Sequence, residues 1–85
     1  MSETTTTRFG NALREARLAK GLSLRAVEEA TGISNAYLSQ LESGKVKQPS
    51  PVTLHDLSEL YGVSYANLMV LAGYPVPSRK KMDPD

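Results

Sequence analysis

Apolar side chains recur at helical spacing along five stretches of the chain, beginning with Phe9, Leu13 and Ala16, then Leu24, Val27 and Ala30, then Leu38 and Leu41. The period continues through Leu54, Leu57, Leu60 and Tyr61 and ends with Leu68, Leu71 and Ala72. No stretch alternates well enough to make a strand. Leaving aside Gly10, the glycines at 21, 32, 44, 62 and 73 close these stretches, as expected where a helix ends on a left-handed residue. A phrase of glycine, apolar residue and serine then repeats as Gly21-Leu22-Ser23, Gly32-Ile33-Ser34 and Gly62-Val63-Ser64. Each serine suits a helix N-cap, and Val27, Leu38 and Leu68 fall where a residue staples back onto the apolar one before the cap. Ser50-Pro51 gives a further start, with proline at the first helical position. The spacing predicts helices over 9–20, 24–31, 35–43, 51–61 and 65–72, an all-α fold around one core.

Composition limits what such a fold can be. The chain has 85 residues, 10 Lys plus Arg against 9 Asp plus Glu, and no cysteine. That describes one small domain held by helix packing, with neither a disulfide nor a thiolate metal site. The longest apolar run, Leu68 to Ala72, is far short of the roughly 20 residues of a membrane span, and the first ten residues hold no apolar signal-peptide core. A cytoplasmic protein without a membrane partner is expected. Threonines at 4 to 7, prolines at 75, 77 and 84, and the run Arg79-Lys80-Lys81 mark residues 1–8 as a flexible arm and 75–85 as a flexible Pro/basic tail. Residues 9–74 remain as the folded domain.

The third helical stretch differs from an ordinary exposed helix. With Leu38 and Leu41 turned inward, a helical wheel puts Ser34 and Glu42 on the inner flank and Ala36, Ser39, Gln40 and Ser43 outward. The outer face carries no charge. Directly after it, Gly44-Lys45-Val46-Lys47-Gln48-Pro49 sets two lysines beside that neutral face. Amide and hydroxyl groups suit the base edges of a major groove about 12 Å wide, and flanking cations suit phosphates. Net charge of +1 adds nothing, so the case rests on where the charges sit.

Catalysis has little to work with. The one histidine, His55, adjoins Asp56, and adjacent helix residues do not face each other, so no Ser-His-Asp relay is indicated. Metal binding lacks a Cys or His cluster, and no glycine run makes a phosphate loop. No enzyme activity, metal, cofactor or small-molecule ligand is expected. Tyr61, Tyr65 and Tyr74 read as packing residues, and Met69, Val70, Tyr74 and Val76 as an apolar patch for a second copy of the chain.

From Phe9 to about Tyr74 the chain resembles the helix-turn-helix domain of the phage-repressor and Cro family, also called the XRE family. The resemblance is carried by Ala16-Arg17 before Gly21-Leu22-Ser23, by Gly32-Ile33-Ser34, by Tyr37-Leu38-Ser39-Gln40-Leu41-Glu42-Ser43-Gly44-Lys45, by Pro49 and by Gly62-Val63-Ser64. It implies a compact five-helix bundle of the lambda-repressor kind, whose second and third helices form the DNA-binding unit with helix 35–43 in the major groove. By the same resemblance Asn35, Ala36 and Gln40 face bases, Tyr37 lies near the groove wall and Ser39 shares that face. Phosphate contacts then fall to Ser23, Arg25, Ser34, Ser43, Lys45 and Lys47, and Arg17 and Glu42 form a structural salt bridge. Two positions depart from the family pattern: Glu28 stands where a small residue is usual, and Thr31 where an apolar one is common. The implied function is sequence-specific binding of double-stranded DNA as a transcriptional repressor, by a homodimer on a pseudo-palindromic operator. Two alternatives stay open, an antitoxin- or adaptor-like protein-interaction module of the same fold and the N-terminal domain of a longer regulator.

Overall fold

A computed structural model describes residues 7–46 and 48–75. Among them are five helices and no strand: α1 (Arg8–Ala19), α2 (Leu24–Thr31), α3 (Asn35–Ser43), α4 (Pro51–Tyr61) and α5 (Tyr65–Leu71). Every helix begins at a hydroxyl. Ser23, Ser34, Ser50 and Ser64 accept the backbone N–H three residues on, and Pro51 follows Ser50 at the first position of α4. Thr7 does the same for α1, accepting from the Gly10 N–H at 2.9 Å, so Thr7 and Arg8 belong to the bundle and not to the arm. What remains of the expected arm, and of the tail beyond Pro75, lies outside the described residues.

The stop signals act as the sequence suggests. Gly32, Gly44 and Gly62 are left-handed C-caps, and the stapling residues Leu22, Ile33 and Val63 pack against the core of which Val27, Leu38 and Leu68 are part. Thr31 has a local reason to be polar. Its hydroxyl donates to the Val27 carbonyl at 2.8 Å and accepts from the Ile33 N–H at 3.1 Å, closing the end of α2 where an apolar side chain would leave that N–H open.

Phe9, Leu13, Val27, Leu38, Leu41, Leu54, Leu57, Tyr61, Leu68 and Ala72 form one continuous core. Around it α1 packs on α3, α2 on α3 and α4, and α4 on α5, while α5 touches α1 and closes the bundle. One expectation from periodicity fails. Ala30, expected inside, is exposed at the end of α2, whereas Ala16, Leu24, Leu60 and Leu71 are half-buried and pack against the core; short helices at the rim of a bundle this small have an apolar stripe wider than the surface that covers it. The expected apolar patch is also reduced. Met69 and Tyr74 pack against the core, the Tyr74 phenol donates to the Pro49 carbonyl at 2.7 Å, and Val76 lies outside the described residues. Val70 does project outward, at 56% exposure.

Gly10 matters for a different reason from the glycines at helix ends. A β-carbon there would collide with the backbone carbonyls of Leu41 and Glu42. The bare backbone lets the start of α1 lie directly on the last turn of α3.

Candidate nucleic-acid interface

The first turn of α3 is capped by Ser34, whose Oγ accepts from the Tyr37 N–H at 3.1 Å. That leaves the Asn35 side chain free of capping duty. Asn35, Ala36, Ser39 and Gln40 are all exposed, so the outward face of α3 is as uncharged in three dimensions as on the wheel. Tyr37 is half-buried and packs against the core, anchoring the helix from the side. Ser34, expected on the inner flank, is exposed instead, because a cap residue is extended rather than helical, with φ −62 and ψ 145, and the wheel does not apply to it.

The loop after α3 is held in place at both ends. Lys45 and Val46 donate their N–H groups to the Gln40 carbonyl at 2.9 and 3.3 Å, while Pro49 is fully buried and its carbonyl takes the Tyr74 phenol. The Lys45 side chain is exposed beside α3, and Lys47 lies outside the described residues. Ser43 is half-buried, with its hydroxyl turned back on the Gln40 carbonyl at 3.3 Å. At the start of α2, Ser23 and Arg25 are exposed. Ser23 accepts from the Ala26 N–H at 3.0 Å; like Ser34, it keeps its hydroxyl proton to offer outward.

Behind the outward face, Arg17 ties three elements together. Its Nε and Nη2 donate to the two carboxylate oxygens of Glu42 at 2.7 and 3.0 Å, and its Nη1 donates to the Leu22 carbonyl at 2.9 Å. Both side chains are nearly buried, at 11% and 10% exposure. This two-pronged pair locks α1 and the α1–α2 turn to α3. The hydrogen bond to Glu42 pushes the Arg17 pKa up against the opposing effect of burial. Next to the pair, burial holds the Tyr61 phenol neutral and raises its pKa to about 12.

Two residues near α3 were not singled out from sequence for this surface. Arg14 borders a polar cleft of about 240 Å³ between α1 and α3 that Ser39 and Ser43 also line, which adds a cation beside the neutral face. Its spacing of three residues from Arg17, on one side of α1, was the available signal. Glu28 reaches across from α2 and accepts from the Asn35 Nδ2 at 2.8 Å; the departure from the family pattern was legible, its partner was not. A wider depression of about 480 Å³, lined by Ala30, Thr31, His55, Asp56, Glu59 and Leu60, includes none of the residues that α3 exposes. Its carboxylates would repel phosphate. His55 sits there, 3.8 Å from both Asp56 and Glu59 and edge-on to Tyr65. The adjacent pair does therefore approach, contrary to the expectation for neighbours on a helix, but on an exposed surface. Among the described residues no group of His, Cys, Asp and Glu is arranged to hold a metal ion, and no helix is long and apolar enough to cross a membrane.

Comparison with known proteins fits this geometry. Residues 13–68 match a family model described as helix-turn-helix. The chain is 41% identical over 66 residues to the HTH-type transcriptional regulator RghRB of Bacillus subtilis, covering 78% of this chain and 48% of that protein. It is 36% identical over 66 residues to the HTH-type transcriptional repressor RghR of the same organism, covering 78% and 49%. The chain thus spans about half the length of the curated relatives it matches. Among solved structures, SinR, the Bacillus subtilis master regulator for biofilm formation, crystallised in complex with DNA, superposes with a TM-score of 0.67 at 31% identity, over 72% of this chain and 97% of that one. On the family match and these identities, the chain belongs to the helix-turn-helix family of transcriptional regulators.

Proposed function

We propose that this chain binds double-stranded DNA sequence-specifically, with α3 in the major groove, and serves in the cytoplasm as the DNA-reading part of a transcriptional repressor rather than as an enzyme. The observation that carries it is the outward face of α3, on which Asn35, Ala36, Ser39 and Gln40 are exposed without a charge among them. An exposed helix face of this kind contributes little to solubility but matches base edges: an amide pairs with adenine at N6 and N7, and a small apolar side chain meets the thymine methyl. Lys45 beside that face, Arg14 across the α1–α3 cleft, and Ser23, Arg25 and Ser34 at the helix starts are the phosphate contacts of this reading, with Ser43 and Lys47 extending the set. Helix N-termini add partial positive charge where phosphate approaches. Supporting this are the likeness to SinR, solved with DNA, and to RghR, named as a repressor.

One reading helix contacts few base pairs, so the working form is a homodimer on a pseudo-palindromic operator with half-sites roughly 34 Å apart. In this reading residues 9–74, with Thr7 and Arg8 opening α1, form the DNA-binding domain; the coverage of about half of RghRB and of RghR supports the alternative in which they belong to a longer regulator.

Selection from a random duplex library tests the proposal. Wild type is expected to enrich one motif, and Gln40→Ala to relax preference at a single base pair, costing about 1 to 3 kcal/mol of discrimination there. A chain that enriches no motif at low salt is not a groove reader. Its near-neutral net charge would then favour the protein-interaction reading, whose affinity hardly changes between low and moderate salt.

A further inference from the structure

The α2–α3 contact between Glu28 and Asn35 has a chemical direction. An ionised carboxylate only accepts hydrogen bonds, whereas a primary amide carries an acceptor oxygen and a two-proton donor nitrogen. Glu28 Oε1 takes the Asn35 Nδ2 at 2.8 Å, so one of the two ways the amide plane can lie is favoured and the flipped one sets oxygen against oxygen. Ser34 already supplies the cap of α3, and Asn35 is exposed, which leaves its Oδ1 and second N–H facing outward. A free asparagine at a helix start could turn over and offer its donor or its acceptor to whatever base edge it meets.

We propose, granting the duplex binding argued for α3, that Glu28 is a positioning residue that fixes the orientation of the Asn35 amide and thereby sets which base Asn35 accepts. With Nδ2 committed to Glu28, the outward edge reads as acceptor plus donor, which matches adenine, with its N6 donor and N7 acceptor. Guanine presents O6 and N7, both acceptors, and is rejected because Oδ1 would face one of them. The carboxylate itself makes no base contact in this arrangement. It acts through Asn35, ordering the side chain before DNA arrives and reducing what must be immobilised on binding.

The experiment uses the full chain, a random duplex library, and then a panel of duplexes that differ at one base pair. Asn35→Ala identifies the base pair that Asn35 reads, where wild type is expected to prefer adenine. Glu28→Gln is the decisive variant, because glutamine fills the same space and can meet Asn35 with either end of its own amide. It is expected to lower adenine-over-guanine discrimination at that base pair by about fivefold or more, leaving the Gln40 base pair and the melting temperature unchanged; Glu28→Ala should relax the same base pair. Unchanged discrimination in both Glu28 variants would overturn the proposal. So would a uniform gain in affinity on every duplex, the mark of a lost negative charge alone, or a loss at every base pair together with a lower melting temperature, the mark of a packing role. If Asn35→Ala leaves the wild-type motif intact, Glu28 has nothing to position and the proposal fails while DNA binding stands. A wild type that enriches no motif overturns both.

Discussion

Arg17 and Glu42 are the pair whose loss should be felt most. With each side chain about one-tenth exposed, removing one leaves the other as an uncompensated, nearly buried charge, at a cost of about 3 kcal/mol or more, whereas replacing both by apolar residues is far milder. Urea unfolding of Arg17→Met should show that loss, and the double variant Arg17→Met with Glu42→Leu should regain most of it; equal losses would mean the pair is held by packing and not by charge. Tyr61 gives a prediction in pH. Its phenol ionises near the ordinary 10 when unfolded and near 12 when folded, and the folded state therefore favours the neutral form. That stabilisation is whole below pH 10 and disappears as pH rises from 10 through 12, amounting to about 2 to 3 kcal/mol in all. Tyr61→Phe should have a flatter stability profile over that window than wild type, and parallel profiles would show that the phenol is as well solvated folded as unfolded.

Among the helices, α3 is held at both ends by three contacts. Glu28 of α2 meets its first residue, Arg17 of α1 grips its last turn through Glu42, and Gly10 brings the backbone of α1 onto that same turn. Gly10→Ala forces α1 away from rigid backbone carbonyls rather than from a yielding side chain, so a loss of about 1 to 3 kcal/mol is expected in thermal or urea unfolding. A variant as stable as wild type would show that α1 can shift freely on α3. Helix limits were legible because each start and stop is decided locally: a hydroxyl accepts an N–H three residues on, and a glycine takes a left-handed turn. Gly10 was not, since its role depends on a helix some thirty residues away in the chain.

If α3 reads DNA as proposed, a single bundle contacts few base pairs and pairing would extend its range and affinity. Val70 at 56% exposure is what remains of the expected patch on α5, and sedimentation in the presence of operator should show two chains per duplex. Only monomers, with and without DNA at binding concentrations, would remove the homodimer. From the order of residues alone came five helices, the serine caps of four of them, the core stripe, the neutral face of α3 and the pairing of Arg17 with Glu42, the last through a resemblance. All but the pairing depend on interactions within one or two helical turns, where sequence spacing is spatial spacing. Tertiary packing alone decided that Ala30 stays outside, that Tyr74 is spent anchoring Pro49 and not offered to a partner, that Arg14 borders the α1–α3 cleft, and that Glu28 holds Asn35. Each of those depends on the distance between helices, which no periodicity encodes and which the packed core settles.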